Sequence, residues 1–419
     1  MRPRLLFLSQ CLPYPPHSGV TNRTYHILRA LAASFDVTLL AFSRTNHQPG
    51  AEDVRRACSA LESLGVRVAG TFRIRSEQAF PSRLLVHLRS LASGRAYTFF
   101  DYDNRAFPSV LRRVLREQRP EIVHVDSLDL HRWLPLLGDL PVACTHHSIE
   151  SDLLRLRAQH AGSGLTKMYM RRQADAILSL EKEVCPRLRL NVMMSELDAE
   201  RLTVIAPSAP TFVAPNGVDV GFFEPRPGAP VRPGRVLFLG PSYMLPNYDG
   251  VQFFLKEVWG AIRADQPEAT FQIVGKVKPT HRATFESYPG VSCAGFVDDV
   301  RPYLAEAACC VVPLRIGGGT RLKILDTWAM GRPVVSTSVG CEGLAGRDGV
   351  NILIRDEPRV FAKAVLQVLA DEDLQHALGS AGRRTAESQY SWDSIGSSLT
   401  KAYGDVMGPS GKYRSREVH

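Results

Sequence analysis

Along most of the chain, short apolar runs alternate with stretches of helical spacing. This is the pattern of parallel α/β sheets, whose strands are buried on both faces. The pattern begins twice. Arg4–Ser9 reads as a buried strand, Cys11–Gly19 as a Pro/Gly-rich loop, Val20–Ser34 as a helix and Asp36–Ala41 as a second strand. Further strands are expected at Glu121–Val125 and Pro141–Thr145. The restart is at Arg235–Gly240. After it come a helix over Asn247–Ile262 and a strand over Thr270–Gly275, then a strand at Val291–Cys293 and a helix over Val300–Ala307. A strand at Cys309–Pro313, a helix over Thr320–Gly331 and strands at Pro333–Thr337 and Asn351–Ile354 complete the sheet pattern, and helices near 358–371 and 374–388 close it. The stretch Phe222–Gly234 holds four prolines and two glycines, the composition of a linker. The expected organisation is a first domain over 1–221, a linker over 222–234 and a second domain over 235–390. A helix over 391–407 is expected to cross back to the first domain, followed by a tail over 408–419. In doubly wound sheets, ligands bind beyond the carboxyl ends of the strands, so the loops that follow the strands are the place to look for chemistry.

Composition changes this picture little: 44% hydrophobic and 22% charged residues are ordinary for a globular chain. No apolar run approaches the roughly 18 residues of a membrane span. The N-terminal apolar run is too short for a signal peptide and is interrupted by Gln10 and Pro13, so a cytoplasmic protein is expected. None of the eight cysteines forms a Cys-x-x-Cys pair, which points to reduced, buried thiols. Net charge is +9, and residues 55–116 carry 12 basic against 4 acidic side chains. Within them Leu84, Leu85, Leu88 and Leu91 stand at helical spacing beside Arg83 and Arg89. Two readings of this stretch stay open: peripheral contact with an anionic membrane on its inner face, or packing of the stripe on the domain core. No nucleic-acid motif appears, and nucleic acid is not an expected partner.

The most informative stretch runs from Pro313 to Val335, as strand end, glycine loop, helix, Gly-x-Pro and strand. Gly317–Gly319 permit close approach of backbone to a ligand. Thr320 can cap the helix, whose first amides and positive dipole end suit a phosphate. Arg321 and Lys323 add cations at that end, where they oppose the dipole unless an anion lies between them. Asp326, one turn on, can accept hydrogen bonds from ribose hydroxyls; the bland alternative is a surface Lys323–Asp326 ion pair. Asp101-Tyr-Asp103 and Asp298-Asp299 suggest a metal, but helix-capping or loop acids explain them better.

At these residues a family resemblance is plain. Residues 234–392 resemble the donor domain of retaining GT-B glycosyltransferases of family four (glycosyl transferases group 1). The resemblance rests on Asn216-Gly-Val-Asp, Val236-Leu-Phe-Leu-Gly, Phe271-Gln-Ile-Val-Gly and Gly295-Phe-Val-Asp-Asp-Val. It continues with Gly-Gly-Thr-Arg-Leu-Lys-Ile-Leu, Gly331-Arg-Pro-Val-Val-Ser-Thr and Tyr390-Ser-Trp. The N-terminal half is similar more loosely, through the Pro15-Pro-His-Ser-Gly loop and His147 with Glu150. The resemblance implies an α/β fold of the GT-B type, two Rossmann-like doubly wound domains facing a cleft. It implies metal-independent, retaining transfer of a sugar from a nucleotide-diphosphate-sugar donor to a glycan, lipid or small-molecule acceptor. No cofactor is implied, since the donor is a substrate.

It also implies site roles. Many family members carry a Glu-x7-Glu pair for sugar and ribose. Asp326 stands at the second position and Gly318 at the first, as in the variants that read Gly-Gly-Thr-Arg-x-Lys, so the amides of Gly318 and Gly319 take over the sugar contact. The loop from Gly240 to Asn247 lacks the family's cations, which assigns the diphosphate charge to Arg321 and Lys323. Lys276 is placed near base or phosphates, with a plain surface lysine as the alternative; Phe296 and Val297 are placed at the nucleobase, with core packing as the alternative for Phe296. Gly19 is placed at the donor, and His147 at the reacting sugar, with His146 as its rival. A nucleotide-sugar epimerase on the same fold, a degenerate binding protein and a nicotinamide oxidoreductase remain as alternatives. The last lacks the Gly-x-Gly-x-x-Gly loop after either first strand.

Overall fold

The structure, a computed structural model, describes residues 2–77, 80–159, 161–225, 228, 230–317 and 321–408. Gly318, Gly319 and Thr320, parts of the proline-rich segment, and the tail from 409 lie outside the described residues. The chain forms two compact units, one of Met1–Pro215 with Gly396–His419 and one of Asn216–Ile395.

The first unit holds a seven-stranded sheet of β1 (Arg4–Ser9), β2 (Asp36–Ser43), β3 (Arg67–Arg73), β4 (Ile122–Val125), β5 (Val142–Thr145), β6 (Leu190–Met193) and β7 (Thr211–Val213). Every pairing is parallel, in the order β3-β2-β1-β4-β5-β6-β7. β1, β2, β4 and β5 read as unbroken apolar runs because almost every residue in them is buried. One face of the sheet packs on a core that includes Leu6, Phe42, Phe107, Val123, Trp133 and Met193. Residues Gly396–Met407 of the last helix (Trp392–Met407) belong to this unit: Tyr403 is fully buried and its hydroxyl meets Nδ1 of His124 in β4.

The second unit repeats the topology with six parallel strands: β8 (Arg235–Leu239), β9 (Thr270–Val274), β10 (Val291–Gly295), β11 (Cys309–Val312), β12 (Val334–Ser336) and β13 (Leu353–Ile354), in the order β10-β9-β8-β11-β12-β13. Its core includes Phe254, Trp259, Phe271, Trp328 and Phe361. The division falls at Pro215/Asn216, ahead of the proline-rich segment. Val218 is tied to Tyr390 by a backbone hydrogen bond, and Arg383 donates to the carbonyls of Val220 and Phe223, so these residues are pinned to the second unit.

Most expected elements are present within a few residues, with instructive departures. The helix expected over Asn247–Ile262 starts at Leu245, opens into a π turn at Phe254–Val258 and resumes as Trp259–Asp265. The helix expected from Thr320 is described from Leu322, with Arg321 at the cap position; the capping role expected of Thr320 lies outside the described residues.

In both sheets the strand order reverses beside the first strand, between β1 and β4 and between β8 and β11. Neighbouring loops part there, and the carboxyl ends of those strands form the crevice where ligands bind in such sheets.

Candidate functional site

In the second unit, the loop after β8 and the loop after β11 leave the sheet at this switch point. Lys323, in the first turn of the helix Leu322–Ala329, turns its ammonium toward the β8 loop. There it donates to Asn247 Oδ1 at 2.7 Å and sits 4.1 Å from the ring centre of Phe238. Asn247 Nδ2 in turn donates to the Pro241 carbonyl at 3.0 Å, which fixes the amide with its oxygen toward Lys323. Gly240, at φ +149, makes this possible. A Cβ there would stand 2.9 Å from the ammonium and 2.8 Å from Asn247 Nδ2. Burial, then the nearby Arg321 charge, lower Lys323 to a pKa of about 7.

Arg321 is buried. Its guanidinium folds back over Gly317, where a Cβ would stand 2.8 Å from one Nη, and donates to the Val339 carbonyl at 3.1 Å. Two cations thus crowd one helix start. Asp326 does not relieve them: no ion pair joins it to Lys323, which is bound to Asn247 instead, so the surface ion pair is not formed. Burial alone pushes the Asp326 carboxyl up to about 7. A desolvated ammonium, a nearby guanidinium and a desolvated acid one turn on form a site poised for a ligand with an anionic part and hydroxyl donors.

The remaining expected residues of this unit are less engaged. Lys276 is exposed after β9; its carbonyl accepts from Ser242 N at 3.0 Å, while its side chain is free of described contacts. Phe296 is 74% exposed, which removes core packing as its role, whereas Val297 packs on a small cluster around Leu237 and Val274. Both acidic pairs have structural partners. Asp299 binds the Arg301 side chain and backbone at the start of the helix Arg301–Glu306, Asp101 accepts from Ser76 N, and Asp103 pairs with Arg75 and Arg132.

In the first unit the loop after β4 carries Asp126, which is buried. One carboxylate oxygen accepts from Ser9 Oγ at 3.2 Å and Thr24 Oγ1 at 2.8 Å, and the other lies 3.8 Å from His124 and 3.7 Å from His147. Burial alone would raise this acid, but the hydrogen bonds and charges of His124 and His147 hold it below the ordinary carboxylate range. His147 Nε2 donates to the Asp126 carbonyl at 2.8 Å, which leaves Nδ1 as the ring nitrogen to meet a ligand. His146 points elsewhere. It is buried, donates to Asn191 Oδ1 at 3.0 Å and is lowered to about 4 by burial. Of the two histidines, His147 is therefore the one with an accessible edge. Both histidines line a cavity of about 20 Å³ with Asp129 and Glu150, and burial plus the Glu150 charge raise Asp129 to about 6. Gly19 opens the helix Gly19–Ser34, which Ser18 caps by accepting from Thr21 N. A Cβ at Gly19 would meet open space.

Asn247, Asp126 and Asp129 are missing from the sequence reading. Asp126 and Asp129 follow a strand that was expected, which was the available signal; nothing local distinguishes Asn247.

Both units match known protein families. Glycosyltransferase Family 4 matches residues 17–222 and Glycosyl transferases group 1 matches residues 233–371, so the two families together span most of the chain, one on each unit. The chain belongs to the GT-B glycosyltransferases. A lipopolysaccharide core biosynthesis glycosyltransferase from Rhizobium meliloti is 38% identical over 110 residues, which are 25% of this chain and 31% of that relative. A D-inositol 3-phosphate glycosyltransferase from Actinosynnema mirum is 27% identical over 86% of this chain and 94% of its own. The solved structure of Anabaena HepE in complex with UDP superposes with a TM-score of 0.64 at 14% identity, covering 96% of this chain and 100% of that one. Among the described residues of this glycosyltransferase, no helix is long and apolar enough to cross a membrane.

Proposed function

We propose that this glycosyltransferase moves a sugar from a nucleotide-diphosphate donor, without a metal and with retention of anomeric configuration, and that its second unit holds the donor. The observation that carries the reading is the desolvated ammonium of Lys323, held between Asn247, Phe238 and the Gly240 turn at the switch point of the sheet. Charge builds on the leaving diphosphate as the glycosidic bond breaks, and a preorganised cation in a water-poor site stabilises that charge without reorganising. Arg321 and the first amides of the helix Leu322–Ala329 add to it. Asp326 takes the ribose hydroxyls. His147 acts on the sugar, where its Nδ1 accepts a hydroxyl, and matters to turnover more than to nucleotide affinity. The exposed Phe296 ring supplies a face for the base. The UDP held by HepE makes uridine the first nucleotide to try.

Two opposing titrations give this reading a pH signature. Asp326 must be ionised to accept from a ribose, so below its pKa of about 7 binding releases a proton and affinity rises with pH. Lys323 must be charged to meet the diphosphate, so above its pKa of about 7 binding takes up a proton and affinity falls with pH. Calorimetry with uridine, guanosine and thymidine diphosphates across pH is expected to give a bell with its maximum near 7 for the preferred nucleotide, unchanged by a chelator. Asp326→Asn should flatten the acid limb and Lys323→Met the alkaline limb. Loss of binding on chelation would contradict the metal-independent reading, and an alkaline limb that survives Lys323→Met would remove that residue from the phosphate.

A further inference from the structure

The leucine stripe of the first unit is not packed on the core. Leu84 is 56% exposed and Leu88 is 50% exposed, and Leu85 and Leu91 are exposed too. Among the described side chains of this helix, Val86 is the apolar one that is buried. The stripe does not stand alone. Its helix, Phe80–Ser93, lies against the helix Gly164–Val184: His87 Nδ1 meets the Tyr169 hydroxyl at 2.6 Å, Ser90 Oγ accepts from Gln173 at 2.7 Å and the Leu91 carbonyl accepts from Arg172 at 3.1 Å. Leu91 shares a helix face with Leu84 and Leu88, and Arg172, which reaches the Leu91 carbonyl, shares one with Leu165 and Met168. Leu165, 77% exposed, and Met168, 65% exposed, therefore continue the Leu84–Leu88 stripe as one apolar ridge built from two helices.

The ridge leads into a groove. Arg95 stands two residues beyond the end of the leucine helix, and Ala176 and Ser179 are in register with Leu165, Met168 and Arg172. All three line a groove of about 1250 Å³. The same groove is lined by Arg132, Arg187 and Arg189, against Asp139 and Glu183, and Glu183 is already paired with Arg187 at 3.5 Å. The Arg95 and Arg132 guanidiniums each stand 4.5 Å from the ring centre of Phe99, which holds both cations in place at the groove. Along the ridge itself the charges have one sign. Residues 80–95 carry Arg83, Arg89 and Arg95 without an acid, and residues 164–172 carry Lys167, Arg171 and Arg172 without one.

We propose that this composite surface docks the enzyme on an anionic lipid bilayer. The ridge of Leu84, Leu88, Leu165 and Met168 enters the acyl boundary, and the arginine groove covers lipid phosphates beside it. Charge complementarity selects this occupant. A second copy of the chain would bring the same cations against themselves, whereas a phosphate-rich headgroup layer neutralises them while accepting the leucines. The surface is built from residues of the first unit and shares none with the groups around Lys323, so this inference and the donor reading fail independently.

The test is co-sedimentation of the full chain with vesicles of phosphatidylcholine alone and of phosphatidylcholine with phosphatidylglycerol. Binding is expected only with the anionic lipid and should fall as salt rises, because screening shortens the reach of the arginine charges. Leu84→Glu with Met168→Glu, and separately Arg95→Glu with Arg189→Glu, should each weaken binding about tenfold or more, with circular dichroism and nucleotide titrations showing the fold unchanged. Equal binding to both vesicles, no binding at low salt, or variants that bind like the parent would overturn the proposal. A dimer in light scattering that Leu84→Glu dissolves would assign the face to a second copy and overturn it too.

Discussion

Replacing Lys323 with methionine is expected to lower donor turnover by about 10²–10³-fold, the range for removing one preorganised donor from developing negative charge. Methionine keeps the unbranched stem over Phe238 and removes only the ammonium. That ammonium is shared between Asn247 Oδ1 and the Phe238 face, and among the described residues no carboxylate pairs with it. On the proposed function, this cation meets the diphosphate. The loss should fall on kcat more than on nucleotide affinity, because the charge on the bridging oxygen grows as the bond to the sugar breaks. Arg321 cannot substitute, since its guanidinium is turned over Gly317 toward the Val339 carbonyl. The measurement is nucleotide-diphosphate release from the preferred donor by parent and variant, with circular dichroism as the check on folding. A Lys323→Met enzyme with parental kcat would place the leaving-group charge elsewhere.

Asp126→Ala is expected to destabilise the first unit by about 3–5 kcal/mol, the cost of removing one partner from a buried charged network. Four segments meet at this carboxylate: Ser9 at the end of β1, Thr24 in the helix Gly19–Ser34, His124 in β4 and His147 after β5. Arg23, whose guanidinium donates to the carbonyls of Ala214 and Pro215, also draws on the Asp126 charge. Truncation removes the buried charge facing His124 and His147 and leaves the Ser9 and Thr24 hydroxyls only their backbone acceptors, the carbonyls of Cys11 and Val20, and it lowers the thermal midpoint by roughly 6–20 °C. The pH dependence has a defined sign. Asp126 is held below its unfolded value, so its contribution is fully present above about pH 4 and is lost as the pH falls further. The gap between parent and variant should therefore narrow in acid. Asp126→Asn, which keeps one acceptor oxygen, should lose less. Equal midpoints at neutral pH would show that the network does not support the fold.

Much of this architecture was legible because strands buried on both faces leave an unbroken apolar run, as in Leu5–Leu8 and Cys309–Val312. β3, Arg-Val-Ala-Gly-Thr-Phe-Arg, escaped notice. It is an edge strand, largely half-exposed, and its glycine breaks any clean period. β6 is interrupted by Asn191 and β7 has three residues, so neither makes an apolar run that stands out from the loops around it. The helix Gly164–Val184 also went unread, although its contact with the Leu84 stripe turns a single amphipathic helix into a two-helix surface. In the donor site, Lys323 and Asp326 were visible because a glycine loop followed by cations at a helix start is uncommon. Asn247 was not, because its role arises only when the helix after β8 is brought beside the helix after β11. The direction of Lys323, toward Asn247 rather than toward Asp326, is likewise a property of packing and not of spacing.

The central claim is that a nucleotide diphosphate binds at the carboxyl ends of β8 and β11. Hydrogen exchange read by mass spectrometry, with and without a saturating nucleoside diphosphate, tests it directly. The account predicts slowed exchange in peptides covering Gly240–Asn247 and Pro313–Asp326, with that protection weakened in Asp326→Ala. Protection confined to the first unit, or none in either stretch at saturation, would contradict it.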